Sequence, residues 1–321
     1  MNESSTLFDV IILGGGPSGL TAALYTSRAF LRTLVLAGNP TGGQLAITSD
    51  VDNFPGFPEG VKGPVLVSNI RKQAEKFGAQ FKDENIVSIS GSFEETFTLE
   101  TEEKKTYRSR SVIIATGSSA KWLGLESEQR LIGKGVSACA TCDGFFFKDK
   151  VIAVVGGGDS AMEEATFLTR FASKIYVIVR KRKEELRASK IMQKKAFDNQ
   201  KIEFLFNSEV KEVMVNNFVE GIKILKKEDG KEEEVVLNDV RGMFLAIGHE
   251  PNTKFLKGFI DLDEKGYIIN YDGFKTSKEG VFSSGDVHDY KYRQAVTAAG
   301  YGCMAAIETI RFLAEHGIVN G

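Results

Sequence analysis

Two glycine clusters, each directly behind a short β-rich apolar run, constrain this chain more than any other feature. Val10 to Leu13 runs into Gly14-Gly15-Gly16-Pro17-Ser18-Gly19, and Val151 to Val155 runs into Gly156-Gly157-Gly158-Asp159-Ser160-Ala161. A strand, a glycine turn and a helix start, in that order, form the phosphate-binding corner of a doubly wound α/β unit. Of Gly14, Gly16 and Gly19, the first permits the tight turn, the second lets backbone approach a pyrophosphate, and the third lets helix pack on strand. The helix N-terminus supplies the unpaired N–H groups that an anion needs. The two clusters lie some 140 residues apart and resemble each other as duplicated Rossmann units would; no repeat of solenoid length is present.

The surrounding pattern predicts an α/β fold. A helix from about Ser18 to Phe30 and a strand Thr33 to Leu36 complete a βαβ opening, and Leu66, Ile70, Ala74 and Phe77 keep the spacing of an amphipathic helix. Lys226 to Glu234 reads as the exposed tip of a hairpin, its charge run being solvated surface. Val112 to Gly117 and Phe244 to His249 each look like a buried strand ending in a small residue and glycine, and together they bracket the second glycine cluster. Two Rossmann-like dinucleotide-binding domains are therefore expected, the second (118–247) inserted into a discontinuous first (1–117 and 248–321). A length of 321 residues, 42% of them hydrophobic, suits about two cores.

A net charge of −2 gives no electrostatic reason to expect nucleic acid or an anionic membrane as partner. Met1 to Leu7 carries Glu3, no basic residue and no long apolar segment, so neither a signal peptide nor a membrane helix is expected. Three cysteines are too few for a disulfide framework. Two of them, Cys139 and Cys142, stand at CxxC spacing, which points to redox or metal chemistry. Zinc would need two more ligands, and His249, His288 and His316 are scattered, so no metal site is expected. Cys303 lies in a small-residue helical stretch, Thr297 to Ile310, and reads as buried core.

The CxxC spacing lets two sulfurs alternate between dithiol and disulfide with little backbone change, through attack by a thiolate. Asp143 follows directly and suits proton exchange with a departing or returning thiolate; a plain turn or helix cap is the alternative reading. About twenty residues past the second glycine cluster, where an NAD site places an acid, the chain has Lys181-Arg182-Lys183 and then Arg187. Fixed cations there suit a 2′-phosphate, so NADPH is favoured over NADH, with a basic exposed turn as the alternative. The first cluster has no acid around Val35 to Gly38 for an adenosine ribose. A nicotinamide delivers two electrons as hydride, and a flavin can accept them and pass them to sulfur. FAD is therefore the expected ligand of the first cluster. Val281 to Asp286 is a further strand ending in Gly285-Asp286, suited to a ribityl chain, and a helix beginning near Arg293-Gln294-Ala295 can face the flavin's pyrimidine edge.

Together these residues closely resemble the low-molecular-weight thioredoxin reductases. The resemblance spans nearly the whole chain: GGGPSG at 14, GGQL at 42, NFPGFPEG at 53, ATG at 115, CATCDG at 139, GGGDSAMEEA at 156, AIGHEPNT at 246, GDVHDYKYRQA at 285 and AAGYGCMAA at 298. The glutathione reductase type would instead carry a CxxxxC dithiol in its first domain. The resemblance implies an FAD-dependent NADPH:thioredoxin-disulfide reductase, cytoplasmic and homodimeric. In addition to the residues already named, it places Gly42, Gly43, Gln44, Leu45, Asn53, Ala115, Thr116 and Gly117 at FAD, and Ile247 and Gly248 at NADPH. It further implies that Cys142 is the flavin-proximal sulfur, that Cys139 exchanges with the partner disulfide and that Asp143 is the acid/base. Lys134, Phe145 and Phe146 match positions near the thioredoxin dock, with loop surface or core aromatics as the alternative. The family usually has His-Arg-Arg at the positions of Lys181-Arg182-Lys183. It also implies rotation of the inserted domain between half-reactions, with Gly117 and Gly248 as hinges. The rival readings are a related flavoprotein acting on another dithiol protein, a dithiol oxidase of a small metabolite, a ferredoxin-type reductase and a non-catalytic nucleotide-responsive binding protein. The cation cluster weighs against the oxidase and the CxxC against the ferredoxin type.

Overall fold

The computed structural model describes residues 6–318 apart from 40, 49, 216 and 229; the reading of Met1 to Ser5 lies outside the described residues. Two compact units emerge, Met1–Ser119 with Glu250–Gly321, and Ala120–His249.

In the first unit a seven-stranded sheet runs in the order Gln80–Lys82, Thr33–Leu36, Leu7–Leu13, Thr106–Ile114, Thr96–Thr101, Ile86–Ser92, with Val281–Ser283 also paired to Thr106–Ile114. Its central strands are parallel, and their side chains alternate between two apolar layers. Ile11, Leu13, Leu34, Val112 and Ile114 face one way with Phe97, Leu99 and Leu256. Val10, Ile12, Val35 and Ile113 face the other way, against Ala22 and Ala23 of the helix Pro17–Arg28 and Ala305 and Ala306 of the helix Ala295–Glu315. Burial on both faces explains why these strands read as unbroken Val/Ile/Leu runs rather than alternating ones. The two helices pack so closely that a Cβ on Gly302 would lie 2.1 Å from the Ser18 carbonyl oxygen.

The first helix ends at Arg28, short of the expected Phe30. Phe30 itself takes φ 60° and is 96% exposed. The helix Gly63–Glu75 buries Leu66 and Ala74 as its spacing predicts, but Phe77 lies beyond its end, exposed, beneath the Arg28 guanidinium. Cys303 is half-buried rather than core, because it sits on the flank of its helix within reach of the Tyr25 hydroxyl.

The second unit holds a five-stranded, wholly parallel sheet in the order Val136–Ser137, Val240–Leu245, Val151–Val155, Lys174–Ile178, Ile202–Leu205. Ile152, Val154, Ile175 and Val177 bury one face against Ala161, Met162, Ala165 and Leu168 of the helix Asp159–Leu168. Ala153, Val155, Tyr176 and Ile178 bury the other against the antiparallel sheet Ser208–Val215, Val219–Glu228, Lys231–Leu237. Among the described residues no helix is long and apolar enough to cross a membrane.

Candidate functional site

Register brings the first site together. Leu13 pairs with Leu36 and Ile114, and Ile114 with Ser283, so four parallel strands end at one level. The segments that follow them converge at the carboxyl edge, where open α/β sheets bind ligands. Gly14 N–H donates to Leu36 O at 2.8 Å, Ala115 N–H to Leu13 O at 2.8 Å, and Ser284 N–H to Ile114 O at 2.8 Å. At Gly14 φ is +117° and a Cβ would lie 2.3 Å from the Ala115 carbonyl oxygen; at Gly19 it would lie 2.0 Å from the Gly14 carbonyl oxygen. Only glycine permits these approaches. Gly16, by contrast, opens onto free space, beside Pro17 at the first helical position.

The loop holding Gly42, Gly43, Gln44 and Leu45 lies alongside: a Cβ on Gly43 would sit 3.6 Å from the Gly16 Cα. Leu45 and Ala295 share one apolar cluster with Leu20 and Leu66. The Asn53 side-chain amide donates to Gln294 Oε1 at 3.3 Å, which joins the NFPGFPEG segment to the start of the last helix. Gln294 occupies the N-cap position of that helix, and Arg293 precedes it at φ 49°. Thr116 is clamped by Asn252, whose carbonyl accepts its hydroxyl and whose amide donates to its carbonyl, both at 2.9 Å; Gly117 O accepts the Asn252 N–H at 3.0 Å.

Asp286 is the chemical key to this edge. Its Oδ1 is buried with no hydrogen-bond partner among the described residues. Burial, then the carboxylate of Asp289, push its pKa up to about 6, with Arg293 opposing. A buried acceptor of this kind lacks a donor, and a polyol hydroxyl fits. Next to it, burial drives His288 down to about 4, leaving a neutral imidazole whose Nδ1 lies 3.2 Å from Ser283 Oγ. An unpartnered acid, an open glycine turn and a helix N-terminus fit a dinucleotide carrying a ribityl chain, as FAD does.

The second site repeats the construction. Val155 pairs with Ile178 and Leu245, Gly156 N–H donates to Ile178 O at 3.1 Å, and Ala246 N–H to Val155 O at 2.9 Å. A Cβ on Gly156 would lie 2.5 Å from the Ala246 carbonyl oxygen, while Gly158 faces open space. Ile247 packs beside the sheet and Gly248 O accepts the Lys121 N–H at 2.9 Å. Asp159 Oδ1 accepts the Ser189 N–H at 2.7 Å, and Gly157 O accepts the Arg187 N–H at 3.0 Å, so the basic segment is tied to the glycine turn. Ser160, Lys181, Arg182, Lys183 and Arg187 are all exposed, and Ala161 is buried. Lys181 Nζ reaches Glu185 at 3.4 Å and Lys183 Nζ lies 4.7 Å from the centre of the Phe197 ring. Exposed cations beside an open glycine turn fit a nucleotide phosphate.

Cys139 and Cys142 form a disulfide, Cα to Cα 5.3 Å. Cys139 precedes a one-turn helix, Ala140–Asp143, and accepts the Asp143 N–H on its carbonyl at 3.2 Å. Burial pushes the Asp143 carboxyl up, and the Ser137 hydroxyl pulls it back. A carboxyl so placed next to a disulfide can hold a proton where a sulfur needs one. Phe145 and Phe146 stand 66% and 42% exposed while Phe147 is buried, so the reading of the first two as core aromatics is excluded. Lys134 is exposed as well.

Sequence reasoning passed over Ser284, Asn252 and Ser137. Ser284 meets Ser18 hydroxyl to hydroxyl at 2.6 Å across 266 residues of chain. Asn252 lay within the quoted AIGHEPNT motif, and Ser137 stands two residues before Cys139; those positions were the available signals.

Residues 8–302 match the family described as "Pyridine nucleotide-disulphide oxidoreductase". A thioredoxin reductase of Streptomyces coelicolor is 48% identical over 312 residues, covering 97% of this chain and 95% of that one. Among solved structures, thioredoxin reductase from Giardia duodenalis superposes with a TM-score of 0.88 at 40% identity, covering 97% of this chain and 100% of that one. That from Streptococcus pyogenes gives 0.89 at 37%, with the same coverage. The family match and the likeness to these relatives run along nearly the whole chain, and the chain belongs to the pyridine nucleotide-disulphide oxidoreductase family, among its thioredoxin reductases.

Proposed function

We infer that this chain is the NADPH-dependent thioredoxin-disulfide reductase its relatives are named for, with FAD and NADPH as cofactors. The observation that carries the inference is the Cys139–Cys142 disulfide, set on a one-turn helix in the same unit as the cation-flanked glycine corner and bordered by exposed Phe145 and Phe146. Residues 1–117 and 248–321 take FAD through the Gly14–Gly19 turn, the 42–45 and 115–117 segments, Asn53, Gly285, Asp286 and the start of the last helix. Residues 118–247 take NADPH through Gly156, Gly158, the helix beginning at Asp159, and Ile247 with Gly248. Lys181, Arg182, Lys183 and Arg187 face the 2′-phosphate.

FAD held by these residues would supply two electrons, taken as hydride from NADPH, for the reduction of a disulfide. At the sulfurs, the Cys139–Cys142 bond breaks, Cys142 receives the electrons as the flavin-proximal sulfur, and Cys139 leaves as thiolate. Asp143 gives a proton as that charge appears and takes one when the thiolate is needed again. The Cys139 thiolate then attacks the thioredoxin disulfide, releasing one thioredoxin thiolate and forming a mixed disulfide. The Cys142 thiolate then attacks Cys139 Sγ of the mixed disulfide and expels the attached thioredoxin sulfur as thiolate, closing the Cys139–Cys142 disulfide and freeing reduced thioredoxin. Lys134, Phe145 and Phe146 border this exchange as a docking patch.

A dithiol and a nicotinamide carried on one domain must take turns at the flavin, so the inserted domain rotates between half-reactions. Gly117 and Gly248 serve as hinges: each has positive φ and open space where a side chain would stand. The enzyme works as a cytoplasmic homodimer. The test is steady-state NADPH oxidation. It should require oxidised thioredoxin and vanish in Cys139→Ser; thioredoxin reduction persisting in that variant would refute the assignment.

A further inference from the structure

We propose that Asp83 supplies the carboxylate for the adenosine ribose 2′-hydroxyl of FAD, standing one strand over from the position where a dinucleotide corner of this kind carries its acid. This rests on the reading of the Gly14–Gly19 corner as the FAD site. An acid about twenty residues past the glycine turn, at the end of the second strand, ordinarily accepts that hydroxyl. Here the strand Thr33–Leu36 is followed by Ala37, Gly38 and Asn39, none of them an acid. Register brings a carboxylate to the same level. Leu36 pairs with Lys82 of the parallel strand Gln80–Lys82, so Ala37 and Asp83 come next on neighbouring strands, whose usual spacing is about 4.8 Å. The Ala37 N–H donates to Lys82 O at 2.8 Å, the Gly38 N–H to Glu84 O at 3.2 Å and the Asn39 N–H to Asn85 Oδ1 at 2.9 Å. The two strand ends therefore stay joined past the sheet.

Thr41 ties Asp83 to the glycine corner. Its methyl carbon lies 2.9 Å from where a Cβ on Gly15 would stand. Its hydroxyl lies 2.7 Å from Asp83 Oδ1 and 2.9 Å from the Gly38 carbonyl, and the charged carboxylate is the stronger acceptor of its one proton. From the helix Gly63–Glu75, Arg71 Nη1 donates to the same Oδ1 at 2.8 Å, while its Nε donates to Glu75 at 3.0 Å and its guanidinium lies 4.6 Å from the centre of the Phe81 ring. Both donors use Oδ1, so Oδ2 is the oxygen available to a ligand. The Asp83 side chain is 52% exposed, which leaves it open to an arriving ribose. A carboxylate held on one oxygen by two donors is oriented before its ligand arrives, so less freedom is lost on binding. The Arg71 charge also offsets the repulsion between this carboxylate and a pyrophosphate at the glycine turn.

Titration calorimetry of the flavin-free protein tests this without turnover. The probes are FAD, the FAD analogue built on 2′-deoxyadenosine, and FMN, which has no adenosine. The wild type should bind FAD roughly ten- to hundredfold more tightly than the deoxy analogue, as one hydrogen bond to a charged group contributes. Asp83→Ala should weaken FAD to the level of the analogue and leave the analogue and FMN nearly unchanged. If Asp83→Ala fails to fold, Asp83→Asn, a neutral acceptor of the same size, should narrow the gap between FAD and the analogue to several-fold. Equal affinity of the wild type for FAD and the analogue overturns the proposal. So does an equal loss for FAD and FMN in either variant, which would make Asp83 a brace for Thr41 and Arg71 alone. A wild-type protein that takes up none of the three flavins would instead remove the FAD reading itself.

Discussion

The two glycine corners are built alike but stand in different surroundings. Around Gly14–Gly19 the neighbours are the buried hydroxyls of Ser18 and Ser284 and the half-buried carboxyl of Asp286, whose Oδ1 has no hydrogen-bond partner among the described residues. Around Gly156–Ala161 they are exposed and basic: Lys181, Arg182, Lys183 and Arg187. The third position differs too. Gly19 has no room for a methyl group, whereas Ala161 carries one in the equivalent place. A corner with buried, specific acceptors suits a resident cofactor that stays through many cycles. A corner flanked by solvated cations suits a coenzyme that arrives and departs, because exposed ion pairs attract quickly and hold modestly.

The largest test of this contrast is a pair of substitutions. Gly19→Ala drives a methyl into the Gly14 carbonyl; the variant should purify without flavin and lose about 3 kcal/mol in denaturant unfolding. Ala161→Gly should keep its flavin and lose only about 1 kcal/mol, the helix-propensity difference. Equal losses would erase the distinction between the corners.

Next come the cations. Arg182→Ala should raise the KM for NADPH roughly ten- to hundredfold and leave that for NADH nearly unchanged. If both KM values rise together, the cluster attracts without discriminating.

At the first corner the sign of a pH effect can be worked out from Asp286, whose pKa stands at about 6 without a ligand donor. A ribityl hydroxyl donating to the carboxylate favours the ionised form, so FAD binding below pH 6 expels a proton. Affinity of the apoprotein for FAD should therefore climb roughly fivefold from pH 5 to 6 and roughly tenfold in all by pH 7, levelling off above that. Asp286→Asn should bind FAD more weakly with a flat pH profile, as followed by flavin fluorescence quenching. The smallest expected effect lies outside both corners: Phe30→Asn relieves an exposed residue at φ 60° and should add about 1 kcal/mol without altering either coenzyme's binding.

Much of this was legible in the sequence because its signals are local. A glycine turn behind a Val/Ile run and two cysteines three apart are set by neighbours in the chain, and Asp286 announced itself by following a strand, though that strand stops at Ser283 rather than at Asp286. What stayed hidden depends on distant partners or on a half-turn of helix. Ser284 matters because it meets Ser18, and Asn252 because it clamps Thr116, neither of which any spacing rule encodes. Phe77 kept helical spacing past the residue where the helix stops, and Cys303 sat in a small-residue run yet on its half-buried flank. Ser137 carried no signal of its own in the sequence; the fold of the CxxC turn brings its hydroxyl within 3.0 Å of the Cys139 N.

The central claim is that electrons pass through Cys139 and Cys142 between flavin and thioredoxin. Anaerobic titration of the holoenzyme with NADPH, followed by oxidised thioredoxin, tests it most directly, with Cys142→Ser alongside. The wild type should take up electrons for both flavin and disulfide and be reoxidised by thioredoxin, while the variant reduces its flavin and transfers nothing. Reoxidation of the variant's flavin by thioredoxin at the wild-type rate would contradict the account.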